Sequence, residues 1–143
     1  MNAKTAIAIE FDGIIHQNLT PFRHATIIPD LPVPGAFEAI AGYINAGLKV
    51  YVWSARCTTG KSRAAIRQWF IRHGAEPLLK WVHMTHVKPT AAIYLCPRGL
   101  QFSGTFPAAD FVKAFRPWKF KPEPLKLQTE LEKKLAGAPA PTP

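Results

Sequence analysis

Acidic residues are scarce in this chain. Asp and Glu number 9 against 18 Lys and Arg, a formal net charge of +9. That balance excludes a generally acidic surface and favours encounter with polyanions such as nucleic acid, nucleotides or phosphorylated metabolites. Cysteine is scarcer still: Cys57 and Cys96 are the only two, too few for a disulfide framework, so two free thiols in a reducing compartment are expected. With His83 and His86 they match no zinc-ligand spacing. Cys96 also lacks a cysteine phosphatase's anion-cradling loop, although Arg98 is near, because Pro97 and the short turn at Gly99 build no nest of backbone donors. Long apolar runs are missing. None approaches the ~20 residues of a membrane span, and the amino terminus has no signal-peptide pattern. A cytoplasmic protein without membrane attachment is expected. No zinc-finger, helix-turn-helix or ribonucleoprotein-type motif occurs.

What is present is an ordinary share of apolar residues, 48% of 143, enough for one domain with a useful core. The most informative stretch runs from Ile7 to His16. Ile7 and Ile9 read as a buried strand that ends in Glu10, Phe11, Asp12 and Gly13. Two acids one residue apart at a strand's carboxyl end meet in the crevice where open α/β sheets hold ligands. Such a pair suits a divalent metal or phosphoryl chemistry. Read alone, Asp12 is also an ordinary turn residue before a glycine.

The rest of the chain alternates strands and helices. Residues 17–32 read as a loop over the sheet's carboxyl edge. Pro34-Gly35 opens a helix with Phe37, Ile40, Ala41 and Ile44 at helical spacing, and Gly47 stops it. Residues 48–53 form a strand rich in β-branched and aromatic residues. A second helix spans 61–73, with Ala65, Ile66, Trp69 and Phe70 as its buried stripe. A strand is expected near 82–87 and a buried one over 91–95. This alternation implies parallel pairing with helical crossovers. Residues 99–106 read as a turn or small hairpin and 108–115 as a last helix. After that, Lys113, Arg116, Lys119 and Lys121 cluster among prolines. Leu127, Leu131 and Leu135 then recur four apart, as on a short amphipathic helix that docks on its own domain, pairs with another protein or self-associates. The expected organisation is an α/β domain over 1–118, a basic amphipathic extension over 119–136, and a disordered Ala/Pro-rich tail over 137–143.

The ends of the strands carry an ordered set: Glu10 and Asp12, then Ser54, Lys88 and Arg98. Parallel order brings such ends to one edge, where Ser54 by hydrogen bond and Lys88 by charge suit a phosphate. Each alone has a plainer reading: Ser54 as a cap, Lys88 as a surface lysine, Arg98 as half of an ion pair. Together they resemble the haloacid dehalogenase-like (HAD-like) phosphohydrolases, in which an apolar strand runs into Asp-x-Asp-Gly. Pro32 to Ala36, Trp53 to Arg56 and Gly104 to Pro107 also resemble small capless phage and bacterial members of that superfamily. The resemblance covers residues 6–118. It implies a three-layer, doubly wound, mostly parallel α/β sheet with no large cap domain. It also implies that Asp12 matches the family's general acid and base, Ser54 and Lys88 its phosphate-binding hydroxyl and lysine, and Glu10 the place of its nucleophile, with Mg²⁺ held by the acids.

Two positions depart from that pattern. Glu10 stands where the family has Asp, and its extra methylene moves the carboxylate by about one carbon–carbon bond, ~1.5 Å. A misplacement of ~1 Å can cost ~10²-fold in rate. Where the family has acids after a later strand, this chain has Leu95-Cys96-Pro97-Arg98. Cysteine is a poor Mg²⁺ ligand, proline is none, and Arg98 adds positive charge. The expectation is a phosphatase fold with an eroded catalytic site and a weak Mg²⁺ site at Glu10 and Asp12. It would bind a phosphate-bearing ligand through Ser54, Lys88 and Arg98, or a macromolecular partner. Two alternatives stand beside it. One is an active Mg²⁺-dependent phosphomonoesterase on nucleotide or nucleic-acid ends, using Glu10, Asp12, Ser54 and Lys88. The other is a basic module that binds nucleic acid or protein.

Overall fold

A computed structural model describes residues 4–122 and residue 134. The core is a parallel four-stranded sheet made of β1 (Ala6–Glu10), β2 (Lys49–Trp53), β3 (Val82–Thr85) and β4 (Ile93–Leu95), in the order β3-β2-β1-β4. Ile7 pairs with Val50 and Ile9 with Val52, and Val50 and Val52 pair with Val82 and Met84. Alternation then sends these apolar side chains to one face together.

Two helices cover that face. α1 (Ala36–Asn45) links β1 to β2, and α2 (Gly60–Arg72) links β2 to β3. Phe37 of α1 meets both Trp69 and Phe70 of α2, so the helices lie side by side. Right-handed crossovers require this when β1, β2 and β3 follow one another in a single direction across the sheet. α2 begins where the Thr59 hydroxyl accepts a hydrogen bond from the Ser62 N–H. It ends at Gly74, whose positive φ favours glycine. Ile66, Trp69 and Phe70 are fully buried. Each such side chain contributes roughly 1.5–3 kcal/mol of apolar burial.

The sheet is α/β and Rossmann-like, but the helical layer on its second face that a three-layer arrangement needs does not form among the described residues. β3 and β4 lie at opposite edges, and residues 86–92 join them across the second face without a helix. The strand expected over 91–95 is therefore short and lies at an edge. Paired only with β1, it leaves Ile93 53% exposed. The strand expected over 82–87 stops at Thr85, whose hydroxyl turns back to the Val87 backbone. No hairpin forms over 99–106; Leu100, Phe102 and Phe106 are exposed instead. α3 (Ala109–Ala114) occupies the last expected helix, and Phe111 and Val112 on it are exposed. No described helix is long and apolar enough to cross a membrane. Leu127, Leu131, Leu135 and the tail over 137–143 lie outside the described residues.

Candidate functional site

The cleft forms where β1 ends. Directly after Glu10 the chain makes a tight loop. The Ile15 and His16 N–H groups both donate to the Phe11 carbonyl, and the Gly13 N–H donates to the His16 carbonyl. Gly13 sits at φ 95°, and a Cβ there would come 3.2 Å from Cγ of Pro97. The backbone conformation favours glycine, and the space beside Pro97 is tight for a Cβ. The loop brings Asp12 opposite His16, four residues on.

Asp12 is held from two sides. Its Oδ1 lies 2.9 Å from Nδ1 of His16, and its Oδ2 accepts the Nε–H of Arg56 at 2.7 Å. His16 is completely buried and Arg56 is 4% exposed. Nε2 of His16 accepts the Asp30 backbone N–H at 3.0 Å. An accepting Nε2 leaves Nδ1 to carry the proton and donate it to Asp12. Burial pushes the Asp12 carboxyl up, but the hydrogen bonds from His16 and Arg56 and the guanidinium charge outweigh it. The group is held below the ordinary carboxylate range, hence ionised.

Arg56 does more than neutralise Asp12. One of its terminal nitrogens donates to the carbonyls of His24, Ala25 and Ile27. The far end of the same loop is fixed by Asp30, whose carboxylate accepts from the backbone of Leu19 and Thr20 and from the Thr20 hydroxyl. The Trp69 indole donates to the Asp30 carbonyl. The loop over residues 17–32 is thus pinned to His16 in the loop after β1, to α2 and to the turn after β2.

Ser54 lies buried at the end of β2, and its hydroxyl oxygen accepts the Arg56 N–H at 3.1 Å. It caps the 3₁₀ turn Ala55–Thr58 and so aims Arg56 at Asp12. Lys88 stands elsewhere. Its ammonium lies 4.4 Å from the Tyr94 ring centre and 6.0 Å from that of Trp53, on the second face of the sheet. The fold therefore joins Glu10, Asp12 and Arg98 in one cleft, holds Ser54 behind it, and leaves Lys88 out of it.

The cleft has a volume of about 350 Å³. Glu10, Asp12, Gln17, Asn18, Arg98, Trp118 and Lys119 are among the residues that line it. The Trp118 N–H donates to the Pro97 carbonyl at 2.9 Å, which brings the chain back to the cleft after the excursion through α3. Burial pushes the Glu10 carboxyl up; Arg98 offsets part of this, and Asp12 adds to it. Sequence pattern alone gives His16, Arg56 and Trp118 no role in the cleft. His16 and Arg56 lie within the motifs that carry the resemblance, so their place in the sequence was the available signal. Nothing local marked Trp118.

The donor set does not fit Mg²⁺, which takes oxygen ligands in near-octahedral array. Both oxygens of Asp12 are engaged, Pro97 packs on Gly13, and a guanidinium faces Glu10. Among the described residues no three His, Cys, Asp or Glu side chains are grouped to hold a metal ion. Cys57 is fully buried, and burial pushes its thiol up, which suits packing and not nucleophilic chemistry.

No protein-family model matches the chain, and comparison with characterised proteins and with solved structures finds no similar protein.

Proposed function

We propose that this chain is a HAD-like phosphatase-fold protein whose cleft binds a phosphate-bearing ligand and hydrolyses it little or not at all. The observation that carries this reading is the double engagement of Asp12 by His16 and Arg56. A general acid must hold a proton and release it to the leaving group. Asp12 is held ionised, and each of its oxygens already accepts a hydrogen bond, so it resists taking up the proton that a general acid must carry. Glu10 lacks the second acid that a phosphoryl transfer would need to gather a metal. Arg98 and Lys119, which also line the cleft, offer charge to an anion, and Asn18 offers an amide group. These favour holding a phosphate over cleaving it.

Two measurements test the reading. The full chain, titrated calorimetrically with inorganic phosphate and with a nucleoside monophosphate, is expected to bind at least one of them. Arg98→Gln with Lys119→Gln is expected to weaken binding at least tenfold. With Mg²⁺ and p-nitrophenyl phosphate the natural chain is expected to show no turnover above background. The variant Glu10→Asp, Cys96→Asp, Pro97→Asp restores the family's acids but leaves Asp12 held by His16 and Arg56, and is expected to bind Mg²⁺ more tightly while gaining little turnover. Brisk hydrolysis by the natural chain, abolished in Asp12→Asn, would sink the proposal and favour a working phosphomonoesterase.

A further inference from the structure

The second face of the sheet differs from the helix-covered one. Because Val50 and Val52 point into the core, alternation sends Lys49, Tyr51 and Trp53 of β2 the other way. The register sets His83 of β3 beside Tyr51, Tyr51 beside Ala8, and Ala8 beside Tyr94 of β4. A row of three ring side chains and one alanine thus crosses the sheet, with Trp53 two residues further along β2. Tyr51 and His83 are in contact, with ring centres 5.7 Å apart.

Lysines attend these rings. The Lys49 ammonium lies 4.9 Å from the Tyr51 ring centre, and Lys88 sits over Tyr94 and near Trp53. At the entry to β3, Lys80 lies 5.6 Å from the ring centre of Trp81, itself 53% exposed. Among the described residues none of these lysines makes an ion pair. Glu10, at the carboxyl end of β1, is the one acid in β1–β4 or residues 86–92. Two hollows flank the crossing segment. One, of about 640 Å³, is lined by Lys4, Lys49, Tyr51 and Thr90 among others; the second, of about 480 Å³, includes Lys88, Tyr94 and Gln101.

The geometry points to a binding face for single-stranded nucleic acid, with bases stacked on Tyr51, Trp53 and Tyr94 and phosphates paired with Lys4, Lys49 and Lys88. Half-buried rings on a sheet face crossed only by residues 86–92 among the described residues, with lysines beside them, match the two needs of such a strand, π-faces for bases and cations for the backbone. The lysines now resting on the rings do not block this. Stacking of a base is stronger than an exposed cation–π contact, and each displaced ammonium moves to a phosphate. A duplex hides its base faces and can use only the charge. An acidic peptide would leave the rings idle. The inference is independent of the cleft at Asp12.

The test uses the full chain and a fluorescein-labelled dT20 followed by anisotropy. Binding is expected at low salt and is expected to weaken steeply as salt rises. Lys49→Gln with Lys88→Gln is expected to lower affinity at least tenfold and flatten the salt slope by about two. Arg67→Gln with Arg72→Gln removes the same charge from the helical side and should change affinity less than threefold. An abasic 20-mer should bind at least tenfold more weakly than dT20. Acetylation of Lys49 and Lys88 should be rapid in the free chain and suppressed by dT20. Equal losses in the two double variants, equal binding of the abasic strand or of a duplex, or capture by phosphatidylserine vesicles in place of dT20 would overturn the inference. So would slow acetylation of both lysines in the free chain, which would mean that this chain's own residues cover the face.

Discussion

Arg56 and Asp12 stand 44 residues apart in the chain and 2.7 Å apart in the fold. The contact ties the turn after β2 to the loop after β1, and the same guanidinium holds three carbonyls of the loop over residues 17–32. Much of the candidate site is organised around this one buried cation.

Removing Arg56 is therefore expected to damage stability before it damages anything else. Arg56→Ala leaves a partly buried carboxylate and three carbonyls without their donor, and should cost about 3 kcal/mol or more. Urea unfolding would measure this. Arg56→Lys should recover only part of the loss, because an ammonium cannot serve Asp12 and the carbonyls with one planar fork. Full recovery by lysine would show that charge alone matters.

Acid should unfold the chain through the same groups. Asp12 and Asp30 both have carboxyls held below the ordinary value of 3.8. For Asp30, burial pushes upward but the hydrogen bonds from Thr20 and Leu19 prevail. A depressed carboxyl favours the fold above its unfolded value, and that contribution disappears as pH falls through the folded value. Stability is thus expected to be flat with respect to these groups near neutrality and to drop once pH passes below about 4. Asp30→Asn should be less stable at pH 7 and less sensitive to acid. Thermal melts from pH 7 to pH 2 would check both statements.

Glu10 should behave in the opposite sense. Its carboxyl is pushed above 4.5, chiefly by burial. A raised carboxyl favours the fold below its unfolded value, and this is lost as pH rises through the folded value, so the ionised form at pH 7 is a burden. Glu10→Gln is expected to raise the melting temperature at pH 7. The gain should shrink as pH falls through the Glu10 titration. A lower melting temperature at pH 7 would show that the pairing with Arg98 outweighs burial.

Gly13→Ala tests the loop that bears Asp12. A side chain at this positive φ costs about 1–2 kcal/mol, and the added methyl would also crowd Pro97 at 3.2 Å. Pairing it with Pro97→Ala should relieve the crowding and leave the backbone cost. A double-variant cycle in urea would separate the two.

Sequence pattern alone determined the succession of elements. The apolar run before Glu10, the helical spacing of Ile40 and Ile44, and the Ala65–Ile66–Trp69–Phe70 stripe are local signals, and β1, α1, β2 and α2 lie where those signals put them. The parallel sheet follows from their alternation. It also brings Glu10, Asp12 and Arg98 to one edge. Tertiary structure decided the rest. Whether Asp12 is a free acid or a clamped one depends on Arg56 and His16. Ser54 became a cap because the turn after β2 needed one. Lys88 left the cleft because residues 86–92 cross the second face without a helix, carrying it over Trp53 and Tyr94. The Arg56–Asp12 contact and the place of Lys88 over Trp53 turn on groups that meet across tens of residues, and periodicity within a segment carries no information about such meetings.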